Sequence, residues 1–468
     1  MEQIDLKQLV EQYPEVLTDG TKLKAYIIDL YPQCKRGMVN ILVAIQQSGI
    51  AAEMQANKNS SALDMSRWKK VLDDDYGFTG EVAETCLQMW CSAVGVQLET
   101  RAKATQKTSV PSVLQNSQRD WFEYDESILL RLKEKYREYG GVIYIPNGVE
   151  SINDFAFSDC ANLTSVIISN GVTSINDFAF AGCASLTSIT IPDSVTNIGE
   201  VAFKGCEKLK SITIPDSMDE VGEKAFCECS GLTSVTIPDS VTSIGNSAFQ
   251  DCVGLTSVAI GNGVTSIGYC AFQGCTGLAS VTIGSGVTSI DDSAFGGCTA
   301  LTSVTIPGSV TSINAYAFNW CTGLTSIVVC NGNPVYHSQS NCLVDTKNKM
   351  LVTGCPASVI PIDGTVKLIG TAAFEGCTTL TSIMIPDGIT NIGDAAFMSC
   401  TGLISITISK SVTSIGDCAF SNCKQLKEIR YTGKIDDWNA IAKGYHWNEG
   451  TKFYTIHCTD GDIPKNES

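Results

Sequence analysis

The chain has 468 residues and a formal net charge of −17, of which residues 1–140, with 17 Lys and Arg against 20 Asp and Glu, account for little. The remainder carries 15 against 29, and this acidity excludes nucleic acid or an anionic membrane as the main partner, because phosphate binding needs clustered Lys and Arg. No run of 18 apolar residues occurs, the start MEQIDLKQLVEQYPEV lacks a basic region followed by an apolar one, and the segment GDIPKNES shows no hydrophobic tail or anchor motif. The expectation is a chain with no signal peptide and no membrane insertion, hence cytoplasmic.

Residues 1–96 predict a small helical domain from segments such as DLKQLVEQY, TKLKAYIIDLY, RGMVNILVAIQQSG and TGEVAETCLQMWCSAVG. Leu23, Tyr26, Ile27 and Leu30 recur at the spacing of a core-facing helix stripe, and Trp68, Leu72, Val82, Cys86, Met89 and Trp90 complete a candidate core. Residues 97–120 are polar and aperiodic, and read as a linker. Residues 121–141 predict a capping helix, DESILLRLKEKYREYGG, with Asp125 as N-cap and Gly140 and Gly141 as its end.

From residue 142 to 431 one beat governs the chain. Phe157, Phe180, Phe203, Phe226, Phe249, Phe272, Phe295 and Phe318, then Phe374, Phe397 and Phe420, are each followed three residues later by a cysteine, and all but one interval is 23 residues. A fixed period of this length marks a solenoid, whose units bury their apolar faces only against neighbours. In the unit LTSVTIPDSVTSIGNSAFQDCVG, residues 232–254, Val235 and Ile237 alternate with Ser and Thr as in a short strand, which Pro238 ends. Val241, Ile244, Ala248, Phe249 and Cys252 then suit an irregular, 3₁₀-like return arc. Burying such a set stabilises by roughly 10–20 kcal/mol, whereas ordering the backbone costs about 1–2 kcal/mol per residue, so no unit folds alone. The fold class is α+β: a helical domain followed by a curved solenoid with one short parallel strand per repeat.

The pattern LxxVxIPxxVxxIgxxAFxxCxxLxx resembles leucine-rich repeats of the BspA-like, or Treponema pallidum, class over residues 141–431. In other leucine-rich repeats the cysteine slot holds Asn or Cys, a small side chain that caps loop backbone groups, and the resemblance implies buried free thiols in that role; disulfides between rungs stay open as the alternative. The beat breaks between Cys321 and Cys377. There residues 331–357 form an island in which Leu343 and Val344, a turn at 346–349, then Leu351 and Val352 predict a hairpin, after which Ile360 and Ile362 resume the register of Ile383 and Ile385. Islands with a similar NPVY-like start recur in the class, and the insertion is either a projecting binding loop or a self-packed decoration. Residues 432–468 read as a terminal cap, with Trp438, Ile441, Trp447 and Phe453 shielding the last rung.

Three histidines and no nucleophile, phosphate-loop or metalloprotease motif exclude a recognisable catalytic centre, and no metal or cofactor is expected. The exposed strand positions form a hydroxyl carpet: Ser188, Thr190, Ser211, Thr213, Ser234, Thr236, Ser280, Thr282, Ser303 and Thr305. With Tyr336 and His337 of the island they are the candidate contacts for a protein or peptide partner of a monomeric chain. BspA-like relatives act as adhesins and surface-interaction proteins, so the resemblance implies a scaffold or adhesin and a cell-surface alternative for location. The competing readings are an enzymatic or regulatory activity in the helical domain and a structural solenoid displaying a Ser/Thr array.

Overall fold

The computed structural model describes residues 118–451 and 454–464 together with Leu23 and Leu42, and the chain divides into two units, residues 1–109 and 110–468. Leu23 and Leu42 are helical and buried. The rest of the expected helical domain, the linker up to residue 117 and Phe453 lie outside the described residues.

The second unit is a curved β-solenoid of about 14 turns, and each regular turn carries two strands, where one was expected. The first is the predicted one, as in Ser234–Ile237, which pairs in parallel and in register with Ser257–Ile260 one turn on. The second is a two-residue strand in the supposed return arc, Ser243–Ile244, paired in parallel with Glu220–Val221 and Ser266–Ile267. Two residues give too short an alternation to be read as a strand, yet stacking supplies a partner on each side. Between the ladders the chain makes tight turns, with a left-handed residue two before each phenylalanine in most repeats, such as Ser247 at φ 55°.

The beat residues are interior. Eight phenylalanine rings from Phe157 to Phe318 stack face to face with centroids 4.9–5.5 Å apart, and Phe374, Phe397 and Phe420 form a second stack. Phe122 meets the first stack edge-on at 6.0 Å, and Trp447 closes the second at 6.1 Å. The cysteines act as the resemblance implied: Cys252 Sγ donates to the carbonyl of Phe226 at 3.1 Å, and Cys183, Cys275, Cys321, Cys400 and Cys423 bond the phenylalanine carbonyl of the previous turn in the same way. These thiols are free, and burial pushes those of Cys321 and Cys423 up to about 12.

Residues 121–141 are not a helix. They form an antiparallel hairpin, Phe122–Asp125 with Ile128–Leu132, followed by a single 3₁₀ turn, Glu134–Tyr136. The spacing of Leu129 and Leu132 is that of a helix face, and in the strand a β-bulge at Leu130 turns both to the buried side. The strand wins because it offers backbone donors and acceptors to the next rung, Ser151–Ile152, whereas helical backbone is bonded internally. The first ladder starts on a side chain: the buried Gln118 amide donates to Val142 O at 3.1 Å and accepts from Tyr144 N at 2.9 Å, imitating a missing strand.

The island holds the expected hairpin, Cys342–Asp345 with Met350–Thr353, preceded by a third strand, Tyr336–Gln339. It does not project. Met350 and Leu351 pair in parallel with Leu368 and Ile369, so the hairpin serves as a rung of the second ladder. Leu343 faces one core, which runs back to Phe122, while Cys342 and Val344 face the other, which runs on to Ile456. Ile360 rejoins the core as predicted, but Ile362 is 74% exposed because residues 359–362 form no strand. At the C-terminal end Trp438 and Ile441 are buried and Trp447 packs against them, as a cap requires.

Candidate functional site: an acidic groove along the second ladder

The ten serines and threonines from Ser188 to Thr305 are brought into one exposed face. Apart from Ser188, whose hydroxyl lies 3.0 Å from that of Ser165, their hydroxyls make no hydrogen bond among the described residues. Beyond Thr305 the same strand position carries the exposed apolar side chains Val328 and Met384.

Tyr336 does not belong to a binding surface. It is 7% exposed, and its hydroxyl oxygen accepts the N–H of Ile313 at 3.0 Å, which covers the open edge of the strand Ser312–Ile313. The apolar ring fills the core gap left where the beat breaks, so the aromatic is structural. His337 is half-buried, with Nδ1 2.8 Å from Thr346 Oγ1 across the hairpin. His446 Nδ1 lies 3.0 Å from Glu449 and His457 Nδ1 2.9 Å from Asp462, so these histidines pair with neighbouring carboxylates.

Over the second ladder lies a feature the sequence reading missed, an open groove of about 690 Å³ that crosses six consecutive strands from Asn197–Ile198 to Ser312–Ile313. Its rim and floor come from three positions of each repeat. At the first, Ser243, Ser266, Ser289 and Ser312 give way to Asn197 and Glu220 toward the N-terminal end. At the second, Gly199, Gly222, Gly245 and Gly268 form a floor without side chains. A Cβ on Gly245 would lie 2.8 Å from Val221 O and 2.9 Å from Glu223 N, so the close stacking of rungs itself keeps the floor bare. The third position supplies Asp177, Glu200, Glu223 and Asn246.

The groove is therefore acidic, with Asp177, Glu200, Glu220, Glu223 and Asp291 along its length. Lys224 Nζ sits 2.6 Å from Glu223, an exposed pair that neutralises one carboxylate only weakly. Asp177 Oδ1 accepts the N–H of Glu200 at 2.8 Å and Asn246 Oδ1 that of Tyr269 at 3.0 Å, so the third position is ordered along the axis by the next turn. The adjoining threonines are spent on structure: Thr265 Oγ1 and Thr288 Oγ1 each donate to the carbonyl one turn back at 3.0 Å. The signal was available in the sequence as acidic residues at positions 23 apart. It was hidden because the arc was read as irregular, with no common face.

The chain matches the BspA-type leucine-rich repeat region over residues 141–256, 242–355 and 351–442. A leucine-rich cell surface protein of Faecalibacterium prausnitzii is 31% identical over 69% of this chain and 95% of its own, with a TM-score of 0.45. A leucine-rich repeat protein of Bacteroides ovatus is 26% identical over 72% and 97%, with a TM-score of 0.42. The leucine-rich repeat protein of T. pallidum is 31% identical over 39% and 89%, with a TM-score of 0.36. No curated protein matches. Among the described residues, no helix is long and apolar enough to cross a membrane.

Proposed function

This chain belongs to the BspA-type leucine-rich repeat family, and from that premise we propose that it is a non-enzymatic binding protein whose second-ladder groove holds a basic segment of a protein partner. The observation that carries the reading is a groove over six turns whose carboxylates gather in its N-terminal turns, Asp177, Glu200, Glu220 and Glu223, and return at Asp291, above a glycine floor in four of those turns. Such a surface attracts a cationic chain over a long front, raises its encounter rate, and discriminates by the placing of charges along the axis. An extended solenoid face with no enclosed cavity suits a macromolecule better than a small substrate, which requires a pocket that covers most of its surface.

The hydroxyl face from Ser188 to Thr305 is proposed as a flanking contact that adds hydrogen bonds without charge. A cell-surface role is also part of the proposal, supported by the description of the F. prausnitzii relative. The test is a charge reversal, Glu200→Lys, Glu220→Lys and Glu223→Lys together, compared with Ser234→Lys, Thr236→Lys, Ser280→Lys and Thr282→Lys. Capture of the native partner should be abolished by the first set and only reduced by the second. Loss with the second set alone would transfer the site to the hydroxyl face.

A further inference from the structure

The N-terminal end of the groove carries an apolar row beside the acidic one. The position two residues before most of the interior phenylalanines is left-handed, with φ 55° at Ser247, 53° at Ser293 and 54° at Ala372. An L-residue there is strained by roughly 1–2 kcal/mol, and bulky or β-branched side chains are worst placed. Yet three successive turns put Phe155 at φ 57°, Phe178 at 56° and Val201 at 60° in this slot. The first two rings stack at 4.7 Å with planes 11° apart, and Phe155 remains 54% exposed. Phe155 is exposed and Phe178 and Val201 are half-buried, so none belongs to the core and backbone preference does not place them there; strain kept at such surface positions points to function.

Each apolar residue is preceded by an exposed carboxylate: Asp154, Asp177 and Glu200. Asp154 Oδ1 accepts Asp177 N at 3.2 Å and Asp177 Oδ1 accepts Glu200 N at 2.8 Å, while the other oxygen of each makes no hydrogen bond among the described residues. The two arginines nearest Phe155 are occupied: Arg131 with Glu123 at 2.7 Å, and Arg137 on the carbonyl of Ser158.

We propose that the row Phe155, Phe178 and Val201, with Asp154, Asp177 and Glu200, seats a basic amphipathic helix of the partner protein. The ring spacing of 4.7 Å approaches the 5.4 Å pitch of an α-helix, so apolar residues three and four apart meet successive turns with an accumulated error of only about 1.4 Å over three. Lys or Arg beside that stripe faces the carboxylate row. An extended strand, whose same-side residues repeat at about 6.7 Å, slips by about 2 Å per turn. The proposal rests on the acidic-groove reading, since Asp177 and Glu200 belong to both, and it specifies the partner's form.

The test uses the full chain and a fluorescent helical peptide of Leu, Lys and Ala with Leu at i, i+3 or i+4, and i+7, against a scrambled peptide of the same composition, read by anisotropy. The amphipathic peptide should bind at least tenfold more tightly than the scrambled one. The pair Phe155→Asn and Phe178→Asn should remove that advantage while leaving scrambled binding unchanged, with an equal or higher Tm because Asn suits the left-handed region. Phe155→Leu with Phe178→Leu should retain the advantage. Equal binding of the two peptides, or an advantage that survives the Asn pair, overturns the helix seat. The groove reading fails separately if charge reversal at Glu200, Glu220 and Glu223 leaves both peptides bound.

Discussion

Replacing Phe249 by Ala tests whether the ring stack is the axis that holds the solenoid together. Phe249 is fully buried, with Phe226 at 5.3 Å on one side and Phe272 at 5.2 Å on the other, both near parallel. Truncating a buried phenylalanine costs about 3–5 kcal/mol, and loss of two ring contacts on a backbone clamped by both ladders places this site at the upper end. Because each turn contacts only its neighbours, the loss falls on the interfaces on either side of that turn, and the urea transition should broaden or divide. Far-UV circular dichroism against urea reads both effects. A shift of less than about 2 kcal/mol, with a single transition of unchanged slope, would refute the stack as the principal stabiliser.

Four further outcomes follow from the same geometry. Gln118→Ala leaves Val142 O and Tyr144 N without partners at the first rung, so hydrogen exchange at Tyr144 should accelerate at least tenfold, consistent with a cost of about 1–3 kcal/mol. Tyr336→Phe removes only the oxygen that accepts Ile313 N and should cost about 1–2 kcal/mol by urea denaturation without altering partner capture. Deleting residues 331–357 should lower solubility and Tm sharply, since both cores lose their junction, whereas a projecting loop would be removed harmlessly. Burial raises the thiols of Cys321, Cys342 and Cys423 to about 12, so the native state keeps protons that the unfolded chain loses. Stability is then full below about pH 8.5 and declines as pH rises toward 12, by about 1.4 kcal/mol per unit and thiol; an alkaline titration of Tm that stays flat to pH 11 contradicts this.

The sequence disclosed the parts that repeat with large side chains. Phe and Cys at 23-residue intervals give the stacked rings and the thiol caps, and Val235 with Ile237 gives the first ladder. Ser243–Ile244 escaped because two residues carry no periodicity of their own; the strand exists only by pairing with the turns before and after it. For the same reason Asp177, Glu200 and Glu223 enter the sequence reading only through the net acidity of the solenoid, and it is the second ladder that aligns them. The hairpin at 122–132 was mistaken for a helix because Leu129 and Leu132 keep a helical spacing, which the strand accommodates only through a β-bulge at Leu130, and the neighbouring rung's need for backbone partners decides for the strand. Tyr336 was misplaced because a tyrosine in an insertion reads as surface, whereas here its oxygen finishes a strand edge.

The central claim, that the partner lies along the second-ladder groove, is tested most directly by site-specific photocrosslinking in the native cell. A benzophenone amino acid at Ser266, on the groove, is compared with one at Thr236, on the hydroxyl face. A discrete adduct from position 266 that disappears with the Glu200, Glu220 and Glu223 charge reversal is the predicted result. An adduct from position 236 alone, unaffected by that reversal, would contradict it.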